Sequence, residues 1–225
     1  MKDQLKGVER LLEYEIDRPS MEYLQGHAKR LMDLCGACLG ILIGFPIFVM
    51  AALIVKLIDR VPVIYRQKRI GLNGKQFDFY KLRTLKTIDA HERTILANLE
   101  RKPDYETTRT GKFWRITSID EIIQFWLVLK GEMSLIGHRP LPDYYFPHLH
   151  QIPGMDKNKL AHYLKIIAQY KPGISSLSSV YGRGNLTVQE KLEYDLIYAQ
   201  TASFGHDLKL LLQTIIAVIT LQGAI

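Results

Sequence analysis

The uncharged apolar run from Leu34 to Val55 limits what this chain can become more than any other feature. As one unbroken helix its 22 residues would reach about 33 Å, close to the thickness of a bilayer's hydrocarbon core. Gly44-Phe45-Pro46 falls near its middle. A mid-helix proline removes a backbone hydrogen bond and clashes with the preceding turn, and membrane helices accept it with a kink. Three geometries stay open: a nearly straight span, a bent hairpin entering and leaving on one side, and a buried core helix. Ile41 to Val55 offers solvent no polar face, which argues against the last.

The charge that follows the run is concentrated. Between Lys56 and Lys86 nine Lys or Arg stand against Asp59 and Asp78, a net +7, which equals the formal charge of the whole chain. A basic block directly after an apolar run marks the cytoplasmic side of a membrane and suits anionic headgroups. No nucleic-acid-binding module accompanies the charge, so nucleic acid is not an expected partner. Cys35 and Cys38 lie inside the apolar run without a second Cys or His pair, which favours packing over a metal or redox role. Residues 1 to 30 are charged throughout and do not read as a signal peptide.

Arg18-Pro19-Ser20 reads as a break in the weak helical stripe of residues 1 to 28. Val61 to Tyr65 and Phe77 to Tyr80 read as extended pieces around a Gly71–Gly74 turn, and Thr87 to Lys102 as a polar helix. Ser118 with Glu121 predicts a capping box opening a helix that stops at Gly131. Helices are also expected over 157–170 and 187–200, with the uncharged tail from Leu210 to Ile225 in the interface or under the first membrane element.

Asp120 and Glu121 stand at the predicted helix entrance, where free N–H groups and the helix field favour an ionised carboxylate, the form a nucleophile needs. The plainer reading is that acidic residues simply belong in first turns. Lys81, Arg83, Arg109, Arg115 and Arg139 surround the pair in sequence, and arginine forks grip phosphate oxygens with two parallel hydrogen bonds. Taken together these residues describe a site for a phosphorylated, metal-bound substrate. Mg²⁺ needs only one or two protein carboxylates when phosphate supplies the other oxygens. His138 is a base or ligand by type only, since no zinc spacing supports it.

From Lys29 onward the chain resembles the bacterial sugar transferase family, the small monotopic polyprenyl-phosphate phosphoglycosyl transferases. The likeness rests on Lys29-Arg30-x-x-Asp33, Pro46, Gln67-x-Arg69-x-Gly71-x-x-Gly74 and Phe77-x-x-x-Lys81-x-Arg83-Thr84. It continues through Thr117 to Glu121, Gly131 to Gly137, Arg139-Pro140, Lys171 to Ile174, Gly182-Arg183, and Asp195 with Tyr198.

The resemblance implies an α-rich α+β fold: a proline-kinked re-entrant N-terminal helix (29–60) and interfacial amphipathic helices around a compact cytoplasmic-face catalytic domain (61–225), with residues 1–28 a peripheral extension. It implies transfer of a sugar-1-phosphate from a UDP-sugar to polyprenyl phosphate at the inner membrane, releasing UMP and initiating a surface glycan. Asp120 would be the nucleophile and Glu121 the Mg²⁺ ligand. Lys81, Arg83, Arg109, Arg115, Arg139, Arg183 and Asp195 would contact substrate, while Arg30, Asp33 and Pro46 would be structural. Further partners would be anionic lipid, a second copy of the chain, or downstream glycosyltransferases. The competing class is a membrane-anchored scaffold whose basic surface binds lipid or a partner enzyme.

The sequence departs from the family pattern beside the expected pocket. Gly137-His138-Arg139-Pro140 replaces Gly-Pro-Arg-Pro, Ile122-Ile123 replaces Leu-Pro, and Ser175-Ser176 replaces Thr-Gly. The identity of the sugar is not legible.

Overall fold

The computed structural model describes residues 18–86, 106–143, 157–182 and 186–221. The helix expected over 87–102 lies outside them. Helix α1 (Arg18–Gln25) carries Pro19 in its first turn, where a missing N–H is no loss, so the expected break is a helix start. Ser20 donates to the Gln200 carbonyl (2.6 Å), docking this segment on the globular part.

Helix α2 (His27–Ile54) contains the apolar run up to its last residue, Val55, and passes through Pro46 without leaving helical form. A π-helical turn (Val55–Asp59) extends it, and Arg60 ends it in a left-handed conformation (φ 55°). With its π-helical extension this helix is long and apolar enough to cross a membrane, its most apolar 18-residue window having a mean hydropathy of 2.7. One stripe faces inward: Lys29, Asp33, Ala37, Gly44, Phe48, Ala51 and Val55. Their spacings of three, four and seven place them on a single face. Leu39, Leu42, Ile43, Met50 and Leu53 point outward and stay exposed.

Gly36, Gly40 and Gly44 form a row on α2, one turn apart. A Cβ added at Gly40 would come within 2.7 Å of the Phe125 ring, and one at Gly44 within 2.9 Å of Ile122. Hydrogen in place of a side chain is what lets the helix lie so close to the domain.

At the polar end of the stripe, Lys29 bridges Asp33 (3.1 Å) and Asp207 (2.8 Å), all three buried. Asp33 also accepts from the Ser134 hydroxyl and the Leu135 N–H (both 2.9 Å). Asp207 accepts from the hydroxyls of Tyr23 (2.9 Å) and Tyr198 (2.8 Å). Arg30 donates to the carbonyls of Val128 (2.7 Å) and Leu129 (2.9 Å). At the other end Asp59 accepts from the Thr110 N–H (3.1 Å) and hydroxyl (2.6 Å). Both ends of the long helix are therefore tied to the same globular part.

That part is mixed α/β. Strands β1 (Ile64–Ile70) and β2 (Gln76–Leu82) pair antiparallel, with Arg69 opposite Phe77 and Tyr65 opposite Lys81. Asn73, left-handed at φ 56°, shapes the turn between them. Helices α3 (Gly111–Ile116) and α4 (Gln124–Lys130) follow, and Gly131 (φ 83°) stops α4 as expected. Two three-residue strands, β3 (Ser134–Ile136) and β4 (Gly173–Ser175), pair in parallel. Around them pack α5 (Lys157–Ile167), α6 (Leu177–Tyr181), α7 (Val188–Thr201) and α8 (Phe204–Ile219). Thr187 and Glu190 form a full capping box at α7. Met133, Ile136, Tyr163, Tyr170, Tyr198 and Leu210 make the centre of the core. Of the expected tail, residues 210–219 belong to α8, which is amphipathic, with Leu210 and Ala217 inward and Leu208, Leu212, Ile215 and Ile219 exposed, while 222–225 lie outside the described residues.

Gly40→Val should overpack the α2–α4 contact and lower stability by about 1–3 kcal/mol. Gly205→Ala, whose added Cβ meets nothing within 4 Å, should be neutral or stabilising by up to about 1 kcal/mol. Thermal unfolding of the detergent-solubilised chain separates the two.

Candidate functional site

The expected capping box at Ser118 does not form. Ser118 is left-handed (φ 57°) and its side chain caps nothing. A single 3₁₀ turn (Ile119–Glu121) intervenes, and regular helix resumes only at Gln124. The reason is tertiary: the Glu121 carboxylate turns to Lys81 rather than back to the chain. Asp120 stays buried, with Lys81 Nζ 3.7 Å from its Oδ2. Lys81 thus sits between two adjacent carboxylates, in very short contact with the second.

Strand alternation delivers the lysine. Phe77 and Phe79 are buried and Lys81 continues their face of β2. Across the ladder Gln67 and Arg69 share that face. The Arg69 guanidinium lies 3.7 Å over the Phe79 ring, donates to Gln67 Oε1 (3.0 and 3.2 Å) and donates to the Pro140 carbonyl (2.8 Å). The hairpin therefore holds the Arg139-Pro140 segment, and the Ile70 N–H adds a bond to the Leu141 carbonyl (3.1 Å).

A pocket opens beside Glu121. Arg69, Phe79, Gln124, Arg139 and Pro140 also line it, and the β4–α6 segment contributes Ser176 and Ser179.

The two neighbouring carboxyls are driven apart. Burial pushes Asp120 up to about 6, partly offset by Lys81, while Glu121 raises it and Arg115 lowers it. Burial also pushes on Glu121, but Lys81, Arg139 and Arg69 together outweigh it and hold that carboxyl below its usual value. The expected help from the helix field is thus overridden at Asp120 by desolvation.

The remaining expected residues divide. Arg115 and Arg109 are exposed, and Arg115 acts on Asp120 through its field. Arg83 is buried and turned elsewhere, donating to the Pro62 carbonyl (2.9 Å) and lying 5.8 Å over the Tyr65 ring. Arg183 lies outside the described residues.

Asp195 is buried off the pocket. It accepts from the Tyr163 hydroxyl (3.2 Å) and the Arg139 backbone N–H, and burial pushes it up to about 8. It props the arginine segment from behind. His138 packs edge-on against Tyr170 (5.1 Å), and burial lowers it to about 4, so it is a neutral ring inside the fold. Gln124, Ser176 and Ser179 are neutral residues that charge-based reading of the sequence passes over.

Among the described residues no three His, Cys, Asp or Glu side chains gather into a metal cluster. Asp120 and Glu121 nonetheless present hard oxygen donors converging on one positive charge, the donor chemistry that suits Mg²⁺ when a substrate completes the shell.

The long helix is apolar and long enough to cross a membrane, and the domain beside it sets a carboxylate pair among a lysine and arginines. The family model for bacterial sugar transferases matches residues 24–221, and the chain belongs to that family. It is 36% identical over 209 residues to the galactosyl transferase CpsE of Streptococcus agalactiae, covering 88% of this chain and 43% of that protein. It is 37% identical over 201 residues to the Bacillus subtilis sugar transferase EpsL, covering 87% and 89%. A UDP-glucose:undecaprenyl-phosphate glucose-1-phosphate transferase of Caulobacter vibrioides is 34% identical over 205 residues, covering 87% and 71%. The chain spans about two fifths of the length of CpsE and of a similar Klebsiella pneumoniae transferase.

Lys81→Met removes the cation shared by the two carboxylates. Because Lys81 lowers the Asp120 pKa, its loss should move that carboxyl upward from about 6. A ¹³C-carboxyl NMR titration of labelled, metal-free protein checks the sign.

Proposed function

We propose that the chain transfers a sugar-1-phosphate from a UDP-sugar to polyprenyl phosphate through a covalent intermediate on Asp120. The observation that carries this reading is a buried carboxylate near Lys81, next in sequence to a partner that Lys81 and Arg139 hold ionised and that lines a pocket with two arginines. The names of the relatives point the same way, toward sugar-1-phosphate transfer to a lipid phosphate.

An Asp120 oxygen attacks the phosphorus that carries the sugar, and the bond from that phosphorus to the bridging oxygen breaks, so UMP leaves with the electron pair. A phosphate oxygen of the lipid then attacks the same phosphorus. The bond from phosphorus to the Asp120 oxygen, an acyl phosphate linkage, breaks with its electron pair on that oxygen, the carboxylate returns, and the new diphosphate joins lipid to sugar. Lys81 and Arg139 neutralise charge that develops on the phosphoryl oxygens, the largest need in such a displacement. Glu121 would hold Mg²⁺, which when bound would withdraw charge from the diphosphate.

The chain's attachment is read as one-sided. Lys29 and Asp33 at the start of α2 and Asp59 at its end all bond to one globular part. Exposed apolar side chains on α2 and α8, with Phe113 and Trp126 between them in sequence, offer a surface for lipid. A one-sided embedded surface would place the site at headgroup depth, where a lipid phosphate can reach it, and the basic block after α2 favours the cytoplasmic face.

A UDP-sugar carrying ³²P on its sugar-linked phosphate should leave label on the acid-quenched wild-type protein and none on Asp120→Asn. No label from any of several UDP-sugars would sink the proposal. Arg139→Ala should cut turnover by about 100-fold, and EDTA should abolish it until Mg²⁺ is restored.

Topology has its own test. In a variant lacking Cys35 and Cys38, single cysteines at Gln25 and Arg60 should both react with a membrane-impermeant maleimide in inside-out vesicles, and neither in right-side-out ones. Reaction from opposite sides would mean a span.

A further inference from the structure

Lys171 is a half-buried lysine whose ammonium finds no acceptor among the described residues. It stands two residues before β4, and neither it nor Arg30 nor Gly131 lines the pocket. The three meet at the far end of α4, where Arg30 reaches across from the start of α2 to the Val128 and Leu129 carbonyls. Gly131 has no side chain to fill the space there. A Cβ built on it would lie 3.7 Å from Lys171 Nζ and 3.8 Å from Arg30 Nη2, and apart from its chain neighbours would meet nothing else within 4 Å. One open spot is thus faced by two cationic nitrogens.

The surroundings do not cancel their charge. Burial, and after it Arg30, holds the Lys171 ammonium below its usual value, with Asp33 opposing and Lys29 adding to the effect. Asp33 is already engaged by Lys29, as is Asp207. Lys29, Arg30 and Lys171 therefore set three positive charges against two carboxylates. Lys130 and Glu132, on either side of Gly131, pair with each other (2.9 Å) and change nothing in that balance. One positive charge is left over in a half-buried place. A singly charged anion would balance it, and a guanidinium beside an ammonium is a donor set that fits phosphate oxygens. Arg30 gives one N–H to each carbonyl, which leaves it donors to spare.

Position says which phosphate. Arg30 comes just ahead of the apolar run, its neighbour Leu31 is 63% exposed, and Trp126 is exposed one turn before the end of α4. Basic residues, an indole and the first outward leucine of an apolar helix come together at the headgroup level of a bilayer. The phosphodiester of an anionic phospholipid carries the one negative charge that the site lacks.

We propose that Arg30 and Lys171, beside Gly131, bind the phosphate of an anionic membrane phospholipid at a site separate from the pocket. The site does not depend on the transferase chemistry above.

Lys171→Gln removes the charge and keeps most of the length. Lys56→Gln, at an exposed lysine of the basic block after α2, serves as a loss of one charge elsewhere. Wild type and both variants, as full chains in neutral detergent, are titrated with phosphatidylglycerol, with lipid retention read by native mass spectrometry and the thermal midpoint followed in parallel. The wild type should retain one phosphatidylglycerol and gain in midpoint. Retention should weaken about tenfold in Lys171→Gln, as for loss of a charged hydrogen bond, and stay within about twofold in Lys56→Gln. Without lipid the Lys171→Gln midpoint should be equal or higher, because a repulsion has been removed. Inorganic phosphate at the same concentrations should shift nothing.

Equal weakening in both variants would mean diffuse attraction to a basic surface and overturn the site. So would a Lys171→Gln midpoint lowered equally with and without lipid, which would make the lysine a packing residue. A midpoint gain from inorganic phosphate matching that from lipid would give the site to a soluble anion, and a wild type that retains no phosphatidylglycerol would remove it.

Discussion

A single buried ammonium organises the way the long helix meets the domain. Lys29 holds Asp33 on its own helix and Asp207 on α8, while Asp33 also accepts from Ser134 and Leu135, and Asp207 from Tyr23 and Tyr198. Burying three charges is expensive, and a well-packed apolar replacement could be as stable, so a net gain in stability is not what such a cluster supplies. Its effect is geometric. Five separate segments must arrive in one arrangement or leave a charge unpaired, which fixes the rotation of α2 about its axis. From Lys29 the i+4 period then brings Ala37 and the glycine row onto β3 and α4, and α4 begins directly after the acidic pair.

The acidic pair depends on that placement. Asp120 and Glu121 are the same functional group on consecutive residues, yet their environments differ, and differing environments are how two carboxyls acquire two roles. The broken helix between Ser118 and Gln124 is what makes them differ. In a continuous helix Glu121 would serve as the cap and point back along the chain. Here a left-handed Ser118 and a 3₁₀ turn direct Glu121 toward Lys81 and leave Asp120 enclosed. Backbone irregularity of this kind is found where a side chain must be aimed.

Much of this was readable from local signals. The apolar run, the turn at Gly71–Gly74 and the stop at Gly131 each follow from rules that act over a few residues, whereas β1 runs on to Ile70, past the extended piece expected over 61–65. What was hidden depends on distant partners. Ser118 and Glu121 satisfy the spacing of a capping box, but a lysine forty residues earlier competes for the glutamate and wins. Strands β3 and β4 are three residues each and exist because they meet each other across the fold. Asp207, fully buried in an apolar helix, looks like an ordinary first-turn acid until Lys29 is placed against it. Arg83 looked like a phosphate ligand because its charge was visible, whereas its carbonyl partner was not.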